Sequence, residues 1–409
     1  MSKFTVNLYE VIYSLSDALD LVGIMQIHHG KRVAYMAVEC AIRLGWSVEL
    51  TDTLFQASIL HDCGVSNTII HSNLTQFEWE HEMDHCQIGA DMIGETTPIS
   101  HLKDYILNHH THYSKLKDMD IPETVKLISN LIYLTDRVDI LSVHLASKNP
   151  NILLHRETIQ EKIRKRSGTF FNPELVEGFL MASAPSAFWL SLDRDHLNDY
   201  VDNWVSHNTT KDIEFSELKS LVQIFSRIVD SKSMFTSEHS EGVARLSRYL
   251  GELFNLSEHT CDKLELAGLL HDLGKLRVPD EILEKPSALT TAEYLTIQRH
   301  SFDGFNILKQ VNGFEEIALW SAQHHERLDG TGYPFRHAGN DLSLEARIIA
   351  VADVFQALAQ KRPYREKLKP DEILSILEKE ANANKLDIEV VRKVKFHLEH
   401  AWKKAMLIE

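Results

Sequence analysis

His324-His325-Glu326-Arg327-Leu328-Asp329-Gly330-Thr331-Gly332-Tyr333-Pro334 sets two adjacent imidazoles ahead of a glycine-rich turn. Neighbouring side chains on a helix point about 100° apart. The two rings therefore converge on one centre only where the helix ends at a cleft, and Asp329-Gly330 and Gly332-Tyr333-Pro334 supply that ending. A lone pair of histidines is satisfied by solvent. The stretch gains its meaning from the histidines and aspartates placed before and after it.

The 409 residues are enough for two or three domains, each with its own core. Lys and Arg total 43 against 59 Asp and Glu, a net charge of −16, which argues against a nucleic-acid-binding surface and leaves an anionic substrate in need of local cations. The 23 histidines are a rich supply of the commonest metal ligand. Cys40, Cys63, Cys86 and Cys261 lack paired spacing, which fits a reducing compartment, the cytoplasm, and not a disulfide framework. Neither a leader pattern nor an apolar run of about 18 residues is present, so the reading is of a chain without a membrane span.

Helical periodicity dominates from the start: Leu8, Val11, Ile12, Leu15, Leu19 and Val22 predict an amphipathic helix over residues 4–27. Convincing strand alternation is missing throughout, and the fold class predicted is all-α. A repeat then emerges from the spacings. His29 and His61 are 32 residues apart, as are His239 and His271; His85 and His109 are 24 apart, as are His300 and His324. Asp20 precedes His29 by nine residues and Asp230 precedes His239 by nine. So many agreements point to duplication, with a first helical domain over 1–190, a polar connector over 191–212 and a second domain over 213–409.

In the second copy, an apolar helix runs into His271-Asp272 and Gly274 is read as its stop. Thr290-Thr291-Ala292-Glu293 has capping-box form and begins the helix carrying His300. Ser343 begins another, in which Asp353 lies among Val351, Ala352, Val354 and Phe355, where an ionised carboxylate is costly unless paired or coordinated. His239, His271, Asp272, His300, His324, His325 and Asp353 together exceed one tetrahedral structural site. They suit two neighbouring divalent ions, with iron or manganese the favoured pair, bridged by a carboxylate and a water. Any one of these histidines alone is better explained as a hydrogen-bonded core or surface residue; the ordered set is not.

These residues carry a resemblance. His239-Ser-Glu-Gly-Val-Ala, His271-Asp-Leu-Gly-Lys275, His300 with Gly304, His324-His325-Glu326, Asp329-Gly-Thr-Gly332-Tyr333-Pro334, Ala352-Asp353 and Arg362-Pro-Tyr-Arg365 resemble the HD-GYP family, bacterial phosphodiesterases of the HD superfamily that linearise cyclic dinucleotides. The resemblance implies His239, His271, Asp272 and Asp353 around one metal, and Asp272, His300, His324 and His325 around the other. It also implies Lys275, Arg362 and Arg365 toward phosphate, and Tyr333 as a substrate wall. The substrate implied is cyclic di-GMP or 3′,3′-cyclic GMP-AMP, opened by attack of a metal-bridging hydroxide, with Asp272 and Lys275 as the catalytic pair. The Gly-Tyr-Pro loop is a candidate docking surface for a diguanylate cyclase, and a homodimer fits the family. Phe235 stands where members with a third metal carry an acid, and Gln356 where the family usually has Asp, which leaves base preference open.

The first copy resembles the family as a degenerate HD domain. It keeps His29, His61, Asp62, His85, His109, His110 and Asp136 as a second candidate metal set, but Val65 stands where Lys275 stands later, and Thr-His-Tyr-Ser follows the histidine pair. A metal-binding regulatory module and a plain scaffold both fit. For the whole chain, another nucleotide phosphohydrolase of the HD superfamily and a non-catalytic effector are the alternatives.

Overall fold

The computed structural model describes residues 3–22, 28–65, 83–95, 97–206, 210–232, 238–360 and 366–408. Arg362, Arg365 and Phe235 lie outside the described residues. Among the described residues the fold is all-α apart from two short strands, Lys3–Val6 and Lys211–Glu214, paired antiparallel with Lys3 opposite Glu214. The expected first helix is therefore shorter than its periodicity suggested: alternating burial in Lys-Phe-Thr-Val makes a strand, and the helix is Leu8–Leu19. Among the described residues no helix is long and apolar enough to cross a membrane.

The chain forms two compact units, Val11–Thr209 and, with Met1–Glu10 joined to it, Thr210–Glu409. The division runs at 209–210, inside the segment 191–212 read as the connector. Within the predicted connector, Arg194–Ser206 is a helix of the N-terminal unit. Its few apolar residues are well used. Leu197 and Val201 are buried, Tyr200 meets Tyr35 edge-on, and Trp204 stacks on Phe55 at 5.0 Å. Leu197, Tyr200, Val201 and Trp204 fall at i, i+3, i+4 and i+7, a short apolar face at helical spacing set among polar residues.

In the C-terminal unit, helices Phe215–Ser231, His239–Leu253, Glu258–Leu270, Thr291–Leu308, Glu315–Ala322 and Leu344–Ala359 build the core. Their starts follow the sequence signals. Ser257 accepts from the Thr260 amide, Ser343 from the Ala346 amide, and Thr290 and Glu293 cap each other reciprocally. Gly268 lets two of the helices close up, since a Cβ there would lie 2.7 Å from Ala244 Cα.

Gly274 has a role that the stop signal did not convey. The backbone continues through it as a 3₁₀ turn, Leu273–Arg277, and its missing side chain allows contact with the helix of His300. A Cβ on Gly274 would sit 2.0 Å from the His300 carbonyl oxygen and 2.9 Å from the Gly304 nitrogen. Gly64 repeats this in the N-terminal unit, 2.1 Å from the His85 oxygen and 2.6 Å from the Gly89 nitrogen. The same close approach in both units gives the duplication a structural basis.

Gly274→Ala is therefore expected to cost about 3 kcal/mol or more, because backbone on both sides cannot yield as a side chain does. Urea unfolding followed by circular dichroism checks this. An unchanged midpoint would show that the His300 helix moves freely.

Candidate metal centre

Five elements deliver the seven candidate ligands of the C-terminal unit. His239 opens its helix, His271 caps the end of Glu258–Leu270 with Asp272 next to it, and His300 lies inside Thr291–Leu308. His324 and His325 occupy the 3₁₀ turn Gln323–His325 that ends Glu315–Ala322, the helix end expected for adjacent imidazoles, and Asp353 comes from Leu344–Ala359. All but His325 are buried.

Hydrogen bonds fix the rings. His271, His300 and His324 each donate Nδ1–H to the carbonyl three residues back, Gly268 at 2.7 Å, Ile297 at 2.6 Å and Ser321 at 2.5 Å. His239 donates Nδ1–H to Gln356 Oε1. In a neutral ring the other nitrogen is then a bare lone pair. Burial, with the charges of neighbouring histidines, holds His324 well below the ordinary histidine range, and burial takes His300 to about 3. Against the effect of burial, the charge of Asp272 raises His271, and the Nε2 atoms face one another in pairs: His239 Nε2 is 3.2 Å from His271 Nε2, and His300 Nε2 is 3.2 Å from His324 Nε2. Two nitrogens each about 2.1 Å from a shared ion stand about 2.9–3.4 Å apart. The spacing is that of ligands on a cation.

Asp272 lies between the two pairs. Its Oδ2 is 3.3 Å from His271 Nε2 and 3.6 Å from His239 Nε2, and its Oδ1 is 3.5 Å from His300 Nε2 and 3.9 Å from His324 Nε2. Oδ1 is buried with no hydrogen-bond partner. Asp353 completes one side, with Oδ1 at 3.3 Å from His239 Nε2, and turns Oδ2 toward His325 Nδ1 at 3.9 Å. Burial alone would raise the Asp272 carboxyl, but the charges of His271 and Lys275 hold it well below the carboxylate range. The donor set fits two adjoining divalent ions, and Asp272 has the reach to join them.

The turn after His325 folds back over the pair. Glu326, itself buried, accepts from the Phe335 amide at 2.6 Å and the Arg336 amide at 3.0 Å. Gly332 packs so tightly that a Cβ would lie 2.4 Å from Glu326 Cα. This brings the Tyr333 ring to 4.8 Å from that of His325. Lys275 Nζ is 2.6 Å from Asp272 Oδ2, with about a fifth of its side chain exposed.

The HD domain family matches residues 223–390. The 3′3′-cGAMP-specific phosphodiesterase 1 of Vibrio cholerae is 36% identical over 392 residues, 95% of this chain and 91% of that protein. The chain belongs to the HD-GYP family. Another HD-GYP relative, the cyclic di-GMP phosphodiesterase response regulator RpfG of Xanthomonas campestris, is 38% identical over 168 residues, 41% of this chain and 44% of that one. A crystal structure described as a cyclic GMP-AMP-specific phosphodiesterase of V. cholerae shares the fold, with a TM-score of 0.64 at 24% identity, covering 99% of this chain and 98% of that one.

The N-terminal unit also assembles its HD-GYP-like set. Asp62, His85, His109 and His110 present ligand atoms within 4.8 Å of one another, as do His29, His61 and Asp136. Three contacts differ from the second copy, and sequence reasoning missed them. His29 Nδ1 donates to Asp139 at 2.7 Å, where the second copy has Gln356, and Arg32 pairs with the same carboxylate where the second copy has Gly242. Arg137 clasps Asp136 Oδ2 at 2.7 Å, in the place of Val354. The segment after His110 does not fold over the histidines; its Tyr113 and Ser114 amides bond to the Phe170 and Thr169 carbonyls at 2.9 Å, and His112 stacks on Phe170.

Gln356 sets the tautomer of His239, so Gln356→Leu should lower metal affinity about 10–100-fold while the fold persists. Chelator competition measures the change. Affinity equal to that of the unaltered chain would remove Gln356 from the support of the metal.

Proposed function

We propose that the C-terminal unit hydrolyses a cyclic dinucleotide to its linear form, with 3′,3′-cyclic GMP-AMP preferred over cyclic di-GMP. The observation that carries the chemistry is Asp272, one carboxylate with an oxygen turned to each of two imidazole pairs. Two divalent cations held there, iron or manganese, would polarise a phosphodiester and bring the pKa of a water near neutrality. His239, His271 and Asp353 would hold one of them and His300, His324 and His325 the other, with Asp272 within reach of both.

Lys275 carries a separate share of the work. With its ammonium at the edge of the ligand cluster and partly open to solvent, it meets the charge that develops on phosphorus and offsets the acidity of the chain as a whole. Tyr333 gives the substrate an apolar wall, and burial keeps its phenol protonated. Arg362 and Arg365 are assigned to phosphate from the sequence motif. The preference for the mixed dinucleotide rests on extent: the 3′3′-cGAMP-specific relative aligns over both units, whereas the cyclic di-GMP relative RpfG aligns over fewer than half the residues.

Chromatography of products from the two cyclic dinucleotides, with anaerobically purified protein and added iron or manganese, tests the reading. Faster loss of 3′,3′-cyclic GMP-AMP is the expected result, and faster loss of cyclic di-GMP contradicts the preference. Asp272→Ala should abolish hydrolysis and reduce bound metal; full activity in the folded variant would refute the two-ion centre. Lys275→Ala should keep both metals and lower kcat about 10²–10³-fold, as for loss of one oxyanion donor. Loss of metal with turnover per bound ion unchanged would assign it to the metals and not to phosphate.

A further inference from the structure

The N-terminal unit has departed from the second copy in a consistent direction. Val65, buried, replaces Lys275, so among the described residues no Lys or Arg pairs with Asp62, and its Oδ1 is buried without a hydrogen-bond partner. The carboxylate needs a cation. Facing Oδ1 are His85 Nε2 at 3.5 Å and His109 Nε2 at 3.9 Å, and these two nitrogens are 3.3 Å apart. His109 donates Nδ1–H to the Ile106 carbonyl at 2.6 Å, which leaves Nε2 as a lone pair aimed at the same point.

A thiol completes the group. Cys86 Sγ lies 3.7 Å from His85 Nε2 and 3.9 Å from His109 Nε2, whereas the second copy has Ser301 Oγ at 3.3 Å from His300 Nε2. A sulfur about 2.3 Å and a nitrogen about 2.05 Å from one tetrahedral ion stand about 3.6 Å apart. A third imidazole closes the cluster off. The His110 side chain is 1% exposed, against 30% for its counterpart His325. At the other half of the cluster the positive charge is already present, since Arg137 holds Asp136 at 2.7 Å.

We propose that the N-terminal unit binds a single thiophilic divalent ion, such as zinc or ferrous iron, through Asp62, His85, His109 and the thiolate of Cys86, with His110 closing the site. The ion replaces the Cys86 proton, which leaves to solvent. With protein donors filling its coordination and no cation in the place of Lys275, the centre is structural or regulatory and turns over no dinucleotide. The site is distinct from the one proposed for the C-terminal unit in both ligand chemistry and ion number.

The test uses the full-length chain, stripped by chelator and reloaded with cobalt(II). Three ions per chain are expected, with a thiolate-to-cobalt charge-transfer band in the near ultraviolet. Cys86→Ser, which changes one atom and keeps the packing, should abolish the band. His85→Gln with His109→Gln should reduce cobalt to two ions per chain, with the helical circular dichroism signal confirming the fold. Asp272→Ala should keep the band, so failure of the C-terminal centre is told apart from failure of this one. Two ions and no band in the unaltered chain, or a band that survives Cys86→Ser, would overturn the proposal. Four ions would overturn the assignment of Arg137 as the standing cation of the other half.

Discussion

Lone pairs that face one another across 3.2 Å, on rings whose other nitrogens are already committed, are the constraint on which the C-terminal unit depends. Such an arrangement is repulsive without a positive charge in its midst, and burial makes the repulsion stronger. The chain accepts it because every ring is fixed from behind. Three imidazoles lean on the carbonyl one turn earlier and the fourth on Gln356. The two buried carboxylates, Asp272 and Asp353, are then placed to share cations with them. Fold and chemistry meet at this point, since the helices that close the core are the same ones that aim the ligands.

The two units show which parts of the design belong to metal binding and which to phosphodiester chemistry. Both keep the glycine that presses the His-Asp turn against the next helix, with Gly64 and Gly274 in the same close contact. Both keep the spacing of imidazoles. Only the C-terminal unit has the ammonium at the carboxylate and the loop from Asp329 to Pro334 brought back over its histidines by Glu326. The N-terminal unit has Val65 where the other has Lys275, Arg137 in place of Val354 and Cys86 in place of Ser301. One scaffold thus supports an open centre and a closed one, with a handful of side chains deciding between them.

The ligand residues were legible in the sequence because spacing encodes them: a histidine at a helix end stays there when the helix lengths are kept. The capping signals at Thr290 and Ser343 were legible for the same local reason. What supports the ligands was not. Gln356 reaches His239 across 117 residues, and Asp139 reaches His29 across 110, contacts that no periodicity announces. Arg137 reads as an ordinary helix residue until the structure turns it onto its neighbour Asp136. Within the connector over 191–212, the helix Arg194–Ser206 rests on only Leu197, Tyr200, Val201 and Trp204 at helical spacing, so its polar composition outweighs its apolar face in the sequence. Gly274 was recognised as punctuation when its true constraint is the carbonyl of His300.

Anomalous diffraction from crystals of the anaerobically prepared chain, recorded at the manganese edge after manganese loading, locates the ions themselves. Two peaks in the C-terminal unit, one about 2.0–2.2 Å from each oxygen of Asp272, are the predicted result. A single peak, or peaks that leave Asp272 uncoordinated, would contradict the reading of this carboxylate as the bridge on which hydrolysis is built.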